Sequence, residues 1–369
     1  MQALILAGGK ATRLRPLTSR VPKPVVPLVG QPFISYMLEW LCSHGVDDVI
    51  MSCGFLADGV RAVLGDGAAH GVRLRYVEEP EPLGTGGALK FAEDLLDERF
   101  FMLNGDVLTD IDLTAQLAQH QETGARATLA LIPVRDPSAY GLVRRRDDMS
   151  VEEFLEKPGP DAMIDTNLVN AGAYILERNV LHDMAPKGSV ISIERDLFPK
   201  LVDHGLYGYR AKGYWLDIGT PERYLQATFD IMEATVNTAI GTRLTDAPGA
   251  RITDGATVQG RVIGPALIGD GCEIAEGAVV GGSVVLGRGV KVGAGARVAQ
   301  SVLMDGVTVG DRTEVRESIV SPGVTIGADC RVMDHVMLGD DVRVGDENTL
   351  CSGIRIFPDV TLPEGAVKF

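Results

Sequence analysis

A six-residue spacing of branched apolar side chains runs through the last third of the chain and limits what it can fold into. From Ile268 the positions recur at Ile274, Val280, Leu286, Val292, Val298 and Met304. The series resumes after a one-residue shortening at Val309 and Val315, and after another it runs through Ile326, Val332, Leu338, Val344, Leu350 and Ile356. Glycine often follows the apolar residue, as at Gly269, Gly287, Gly293, Gly310, Gly327, Gly339 and Gly345. Hexapeptide periodicity with small turn residues is the signature of a left-handed parallel β-helix, in which stacked coils bury a shared apolar interior. The reading is structural: a solenoid that stiffens the chain and supports a homo-oligomer through its exposed flank and end. Acyl transfer from coenzyme A is the alternative, but His335 is the one histidine of the repeat region and has no companion motif.

Up to about residue 235 the rhythm is different. "ALILAG", "DVIMSC", "VRLRYVEE", "RFFMLNGD" and "ATLALIPV" read as strands. Between them lie helical patterns: "PFISYMLEWLCSHG", closed by Gly45, then "LADGVRAVLG", "GGALKFAEDLL" and "DLTAQLAQHQETG". Alternation of this kind implies a Rossmann-like α/β domain on a mostly parallel, mixed sheet, with ligands beyond the carboxyl ends of the strands. The expected layout is therefore 1–235 as a catalytic domain, 236–250 as a linker and 251–369 as the β-helix.

The chain has 369 residues and a formal net charge of −15, which disfavours a long nucleic acid as partner. Its five cysteines form no CxxC pair and no apolar run approaches a membrane span, so a reduced, cytoplasmic protein is expected. Against that acidic background "LILAGGKATRLRPLTSRVPKP" stands out. A strand ends in Gly8 and Gly9, where backbone can approach a ligand without a Cβ in the way, and Arg13, Arg15 and Lys23 follow. Exposed amides with several cations form an anion cradle, and a polyphosphate is its natural guest.

That stretch resembles the AGGxGTRLxPLT…PKP signature of the sugar nucleotidyltransferases. Further pieces similar to that family follow in order: "EEPEPLGTGGAL", "LNGDV", "YGLV", "VEEFLEKP", "NAGAYIL" and "GYWLDIGTPERYL". Within the family, "PLGTGGAL" and "NGDV" look most like the mannose-1-phosphate guanylyltransferase branch. The resemblance implies attack of a sugar 1-phosphate on the α-phosphorus of an NTP, most simply GTP with mannose 1-phosphate, with Mg²⁺ as cofactor and pyrophosphate as leaving group. It assigns Arg13, Lys23, Lys157 and Asp106 to catalysis, and Asp106 with Asp217 to the metal. Leu6, Ala7, Gly8, Gly9, Glu79, Gly84 and Thr85 would join Arg13, Lys23 and Asp106 around the nucleotide. Gly141, Glu156, Lys157 and Asn170 would take the sugar phosphate. One departure is Ala11, where the family usually has glycine; a positive φ there would mean strain. The alternatives are a thymidylyl- or uridylyltransferase acting on glucose 1-phosphate, and a pyrophosphorylase-like regulator that has lost its chemistry.

Overall fold

The computed structural model of the chain describes residues 1–9, 11–54, 56–157, 164–245 and 249–368. They group into two compact units, Met1–Gly9 with Ile34–Trp215 and Lys10–Phe33 with Leu216–Phe369. The opening motif is thus divided: its strand and glycines belong to the first unit, its cations to the second. Among the described residues no helix is long and apolar enough to cross a membrane.

In chain order the elements are β1 (Gln2–Leu6), β2 (Pro27–Leu28), β3 (Gln31–Pro32), α1 (Phe33–Ser43), β4 (Asp48–Cys53), α2 (Ala57–Leu64), β5 (Arg73–Glu78), α3 (Gly84–Phe91), β6 (Arg99–Asn104) and β7 (Val107–Thr109). There follow α4 (Leu113–Thr123), β8 (Ala127–Pro133), β9 (Leu142–Arg145), β10 (Val151–Leu155), β11 (Leu168–Glu177), α5 (Phe198–Leu201), β12 (Leu206–Arg210), β13 (Trp215–Asp217), α6 (Pro221–Met232) and α7 (Ala239–Thr245). The last helix falls inside the 236–250 stretch read as a linker, of which 246–248 lie outside the described residues.

The first unit is built on a nine-stranded mixed sheet, ordered β10-β9-β11-β6-β1-β4-β5, with β8 joined to β11 and β12 to β8. Strand β1 lies between β6 and β4 and runs parallel to both, and β5 continues in parallel beyond β4. Its residues Ala3, Leu4 and Ile5 are wholly buried, as a strand covered on both faces requires. Strand β11 runs antiparallel to β6, and β9 and β10 pair antiparallel beyond it. Helix α4 shows how the sequence sets its ends: Asp112 caps it by accepting from the Ala115 amide at 3.0 Å, and Gly124 closes it with φ 60°. Leu4, Phe100, Met102, Tyr174 and Phe198 fill one core, each such side chain contributing about 1.5–3 kcal/mol by leaving water. Because β1, β4, β5 and β6 are parallel, the loops after them emerge from one edge of the sheet.

The second unit carries the β-helix as three parallel sheets of seven, seven and six strands. The sixfold residues point inward, with one correction of register. Leu286 pairs with Leu303, and Leu303 with Val320, so Leu303 rather than Met304 is the inward residue of its coil. The shortened steps are therefore Val298 to Leu303 and Val315 to Val320. Their cause lies at the corners. Full coils turn through two left-handed residues, such as Gly282 with Ser283 or Asp334 with His335, whereas the short coils turn through one, Gln300 or Glu317. A second apolar series also emerges. Leu267, Val285, Val302, Ile319 and Met337 pair rung to rung on the outward face of one sheet, and the ladder ends at Arg355. Its middle rungs, Val285 to Met337, are buried although they face away from the coil interior.

Candidate active site

In the first unit the site is a set of loops at the carboxyl ends of the parallel strands. After Leu6 the backbone continues along β4, with the Ala7 amide donating to the Ser52 carbonyl at 2.9 Å. Gly9 has φ 144°, a conformation that side chains avoid, with open space around it. Gly105, before Asp106, is needed for a different reason. Its amide donates to Leu6 O at 2.9 Å, and a Cβ there would lie 2.8 Å from that same oxygen. Asp106 thus follows a point where two backbones touch.

Glu79 accepts from Ser52 Oγ at 2.8 Å with one carboxylate oxygen and from the Leu83 amide at 3.2 Å with the other. Both oxygens are used in bracing the loop that leads to Gly84. Gly84 has φ 76°, and a Cβ there would lie 2.5 Å from Ile191 O. That carbonyl accepts from the Gly86 and Gly87 amides at 2.8 and 3.2 Å, and the Ile191 amide returns a bond to Leu83 O at 2.9 Å. Thr85 Oγ1 donates to Glu194 Oε2 at 2.7 Å and accepts from the Ile193 amide at 3.0 Å. The glycine-rich loop is therefore docked on residues 191–194, and the hydroxyl of Thr85 serves that docking.

The residues assigned to the sugar phosphate also meet. The Asn170 amide donates to Gly141 O at 2.9 Å, and a Cβ on Gly141 would lie 2.9 Å from Glu156 Oε2. Asn170 Nδ2 donates to the hydroxyl of the wholly buried Tyr174 at 2.8 Å, and Asn170 Oδ1 accepts from the Gly172 amide at 3.1 Å, which fixes the side chain. Burial pushes the Glu156 carboxyl above the usual glutamate range, and the nearby charge of Glu194 adds to the effect, against a pull downward from Lys157 and Arg195. Lys157 Nζ stands 3.8 Å from Glu156 Oε1 on a left-handed residue (φ 49°), with its side chain mostly exposed. Pro158, which closes that motif, lies outside the described residues.

The second unit holds the cations of the opening stretch. Ala11 has φ 42° and ψ 44°, so the position that usually carries glycine in the family is left-handed in this chain. It precedes a single 3₁₀ turn, Thr12–Leu14. The guanidinium of Arg13 lies over Gly219, where a Cβ would be 2.8 Å from Arg13 Nη2 and 3.2 Å from Asp217 Oδ1. Asp217 Oδ2 accepts from Arg223 Nη1 at 3.2 Å. Arg13 and Asp217 are thus brought to one glycine. Lys23 opens a second 3₁₀ turn, Lys23–Val25, with its Nζ 6.0 Å from the centre of the Phe33 ring.

Sequence reasoning passed over Ser52, Glu194, Tyr174 and Arg223. Arg223 stood inside a motif that was read for its aspartate. Glu194 meets Thr85 across 109 positions of chain, a pairing that leaves no periodic trace.

Family models match the chain over residues 2–234, described as nucleotidyl transferase, and over 262–368, described as GMPPB C-terminal domain. A mannose-1-phosphate guanylyltransferase of Mycobacterium tuberculosis is 36% identical over 373 residues, covering 100% of this chain and 98% of its own. A UTP–glucose-1-phosphate uridylyltransferase of Synechocystis is 33% identical over 340 residues, covering 82% and 87%. Among solved structures, HddC from Yersinia pseudotuberculosis complexed with GMP-PN is similar with a TM-score of 0.53 and 30% identity, over 61% of this chain and 97% of that one.

Proposed function

Since the chain belongs to the nucleotidyl transferase family, we propose that it joins GTP and mannose 1-phosphate to give GDP-mannose and pyrophosphate. It is a sugar-phosphate nucleotidyltransferase, acting on small molecules. The observation that carries the choice of substrates is the end-to-end similarity to the mycobacterial guanylyltransferase, which spans both matched regions. A phosphate oxygen of the sugar 1-phosphate attacks the α-phosphorus, the bond to the bridging oxygen of the β-phosphate breaks, and pyrophosphate leaves. Two anions must meet, so positioning and positive charge matter more than a strong base.

Arg13 stabilises charge on the leaving group, and Lys23 contacts the nucleotide phosphates. The backbone of Leu6 to Gly9 and the loop of Gly84 and Thr85 cradle the nucleoside, with Glu79 bracing that loop. Lys157 grips the sugar phosphate, while Glu156, Asn170 and the Gly141 backbone meet the sugar hydroxyls. Asp106 and Asp217 would each offer one carboxylate to Mg²⁺. That donor set fits an ion that takes few carboxylates and completes its shell with phosphate oxygens and water. When bound, Mg²⁺ supplies charge neutralisation at the phosphate oxygens. Residues 1–235 are the catalytic portion in this reading, and the coils of 251–369 support a homo-oligomer in the cytoplasm.

The similarity to the Synechocystis uridylyltransferase favours a second reading, UTP or dTTP with glucose 1-phosphate. Pyrophosphate release separates the two in a matrix of GTP, dTTP, UTP, ATP and CTP against mannose, glucose, galactose and N-acetylglucosamine 1-phosphates, with Mg²⁺ and with EDTA. A maximum at GTP with mannose 1-phosphate, abolished by EDTA, is the expected result. A maximum at UTP or dTTP with glucose 1-phosphate overturns the substrates and keeps the mechanism. Silence in every well would leave a regulator.

A further inference from the structure

We propose that the β-helix takes part in catalysis through Arg355, which positions the loop bearing Arg13. The need for such a residue is written into the opening motif. In the 3₁₀ turn Thr12–Leu14 the Leu14 amide donates to Ala11 O at 3.1 Å and the Arg15 amide to Thr12 O at 3.2 Å. The next acceptor in that series is Arg13 O, and its donor would be the amide of residue 16. That residue is Pro16, which has none. Arg355 fills the gap from the far end of the chain, with Nη1 donating to Arg13 O at 2.8 Å and to Arg15 O at 3.3 Å. A guanidinium bridging two carbonyls fixes direction as well as distance, and its charge strengthens both bonds.

Other contacts within the second unit place the same segment against the coils. Arg20 pairs with Asp341 at 3.2 Å and also with Asp359. At Gly30 a Cβ would lie 3.3 Å from Leu267 Cδ2. Leu267 and Arg355 lie on one outward ladder, which starts at Arg251 and runs through apolar rungs to Arg355. The charge of Arg355 is also one of the smaller influences on the carboxyl of Glu222. Burial would raise that carboxyl, but the Thr220 hydroxyl, its own backbone amide and the charges of His335 and Arg355 hold it below the usual range. With its backbone held by Arg355 and its guanidinium laid over Gly219, Arg13 is fixed at both ends. Arg20, Asp341 and Asp359 are well exposed, so those pairs add little to global stability. Their effect is on where the loop sits.

The proposal rests on the reading of Arg13 as a catalytic group, and the test separates the two. Steady-state kcat, KM for both substrates and the thermal midpoint would be measured for Arg355→Ala, Arg355→Lys, Arg13→Ala and Lys291→Ala. The last breaks an exposed β-helix pair with Glu273 and controls for general disturbance of the coils. Arg355→Ala should lower kcat about tenfold or more, as expected for loss of an interaction that matters in the transition state. KM for the sugar phosphate and the thermal midpoint should hold, and Arg355→Lys should recover part of the rate because an ammonium still donates, though without the fixed plane of the guanidinium. Lys291→Ala should match the unsubstituted protein. Full turnover in Arg355→Ala beside a collapsed Arg13→Ala overturns the role of Arg355 alone. Full turnover in Arg13→Ala overturns the reading beneath it as well. A loss of rate that tracks a lowered midpoint and is not relieved by lysine reduces Arg355 to a structural residue.

Discussion

Glycine marks close approaches of backbone in both units, for opposite purposes. In the β-helix a Cβ on Gly310 would lie 2.4 Å from the Gly327 carbonyl carbon, because the next coil passes directly over it. Similar approaches recur from coil to coil, so the requirement is periodic and belongs to stacking. In the α/β unit Gly84 meets Ile191 O, Gly105 meets Leu6 O and Gly141 meets Glu156, each once. There the glycines shape the loops of the candidate site. The repeated glycines thus belong to coil stacking, whereas Gly84, Gly105 and Gly141 make single approaches within the loops of the candidate site. Variants should divide accordingly, between those that change the rate of a folded protein and those that change how much of it is folded.

The largest expected effect is on rate. Asp106→Ala or Asp217→Ala should lower kcat several hundredfold, since a metal's charge stabilisation amounts to several kcal/mol, with the thermal midpoint little moved. Pyrophosphate release checks it, and unchanged turnover in both variants would remove the metal assignment. The β-helix supplies the opposite case. Leu303 is wholly buried among the inward residues, so Leu303→Ala should cost about 2–5 kcal/mol as a cavity in a packed core. Urea unfolding would measure it, and the rate per folded molecule should hold. A small loss would return the inward position to Met304.

Why one register was misplaced while the rest was legible follows from what each signal depends on. Six-residue spacing is local and survives any tertiary arrangement, but a step of five leaves two adjacent apolar residues, Leu303 and Met304, equally eligible. Only the corner decides, through the single left-handed Gln300. The parallel strands of the first unit were readable because β1, β4 and β6 are nearly unbroken apolar runs. The antiparallel members were less so: β9 and β10 carry arginines and glutamates that mask them. At the site, cations and glycines inside motifs were visible. The roles of Glu194 and Arg355 were not, since they act on partners 109 and 342 positions away.

A pH profile sharpens the comparison from the side of the site. Glu156 has its carboxyl raised above 4.5, by burial first and Glu194 second. On acidification it takes up a proton earlier than an ordinary glutamate, so KM for the sugar phosphate should climb at a pH above that value. Glu194→Gln removes one cause of the raised pKa and should move this acid limb to lower pH. The linkage to stability has the opposite sign from that of a salt-bridged acid. A folded-state value above the unfolded one stabilises at low pH, and the benefit is lost as pH rises through the folded value. Ionised Glu156 is then a cost at neutral pH, and Glu156→Gln should raise the thermal midpoint while weakening sugar-phosphate binding. A lowered midpoint would contradict the assignment.

The smallest effect concerns left-handed residues, which both units use. At the β-helix corners they include Asp334, Asp341 and Asp359, whose short polar side chains tolerate this conformation well. Ala11 has no such help at φ 42°. Its carbonyl accepts from the Leu14 amide at 3.1 Å and from Thr18 Oγ1 at 2.9 Å, so the surrounding bonds hold the backbone where it is. A left-handed non-glycine residue costs about 1–2 kcal/mol, and glycine gives back roughly 0.4–1 kcal/mol through the greater freedom of its unfolded chain. Ala11→Gly should therefore stabilise by about 1 kcal/mol or less, seen as a higher urea midpoint at unchanged slope. Because the anchoring bonds come from the backbone of residue 11 and not its methyl group, the rate should stay within about twofold. A midpoint that falls would mean that the methyl group packs usefully and the strain is relieved elsewhere. A rate that falls while the midpoint rises would show that stiffness at residue 11 is itself part of how Arg13 is held.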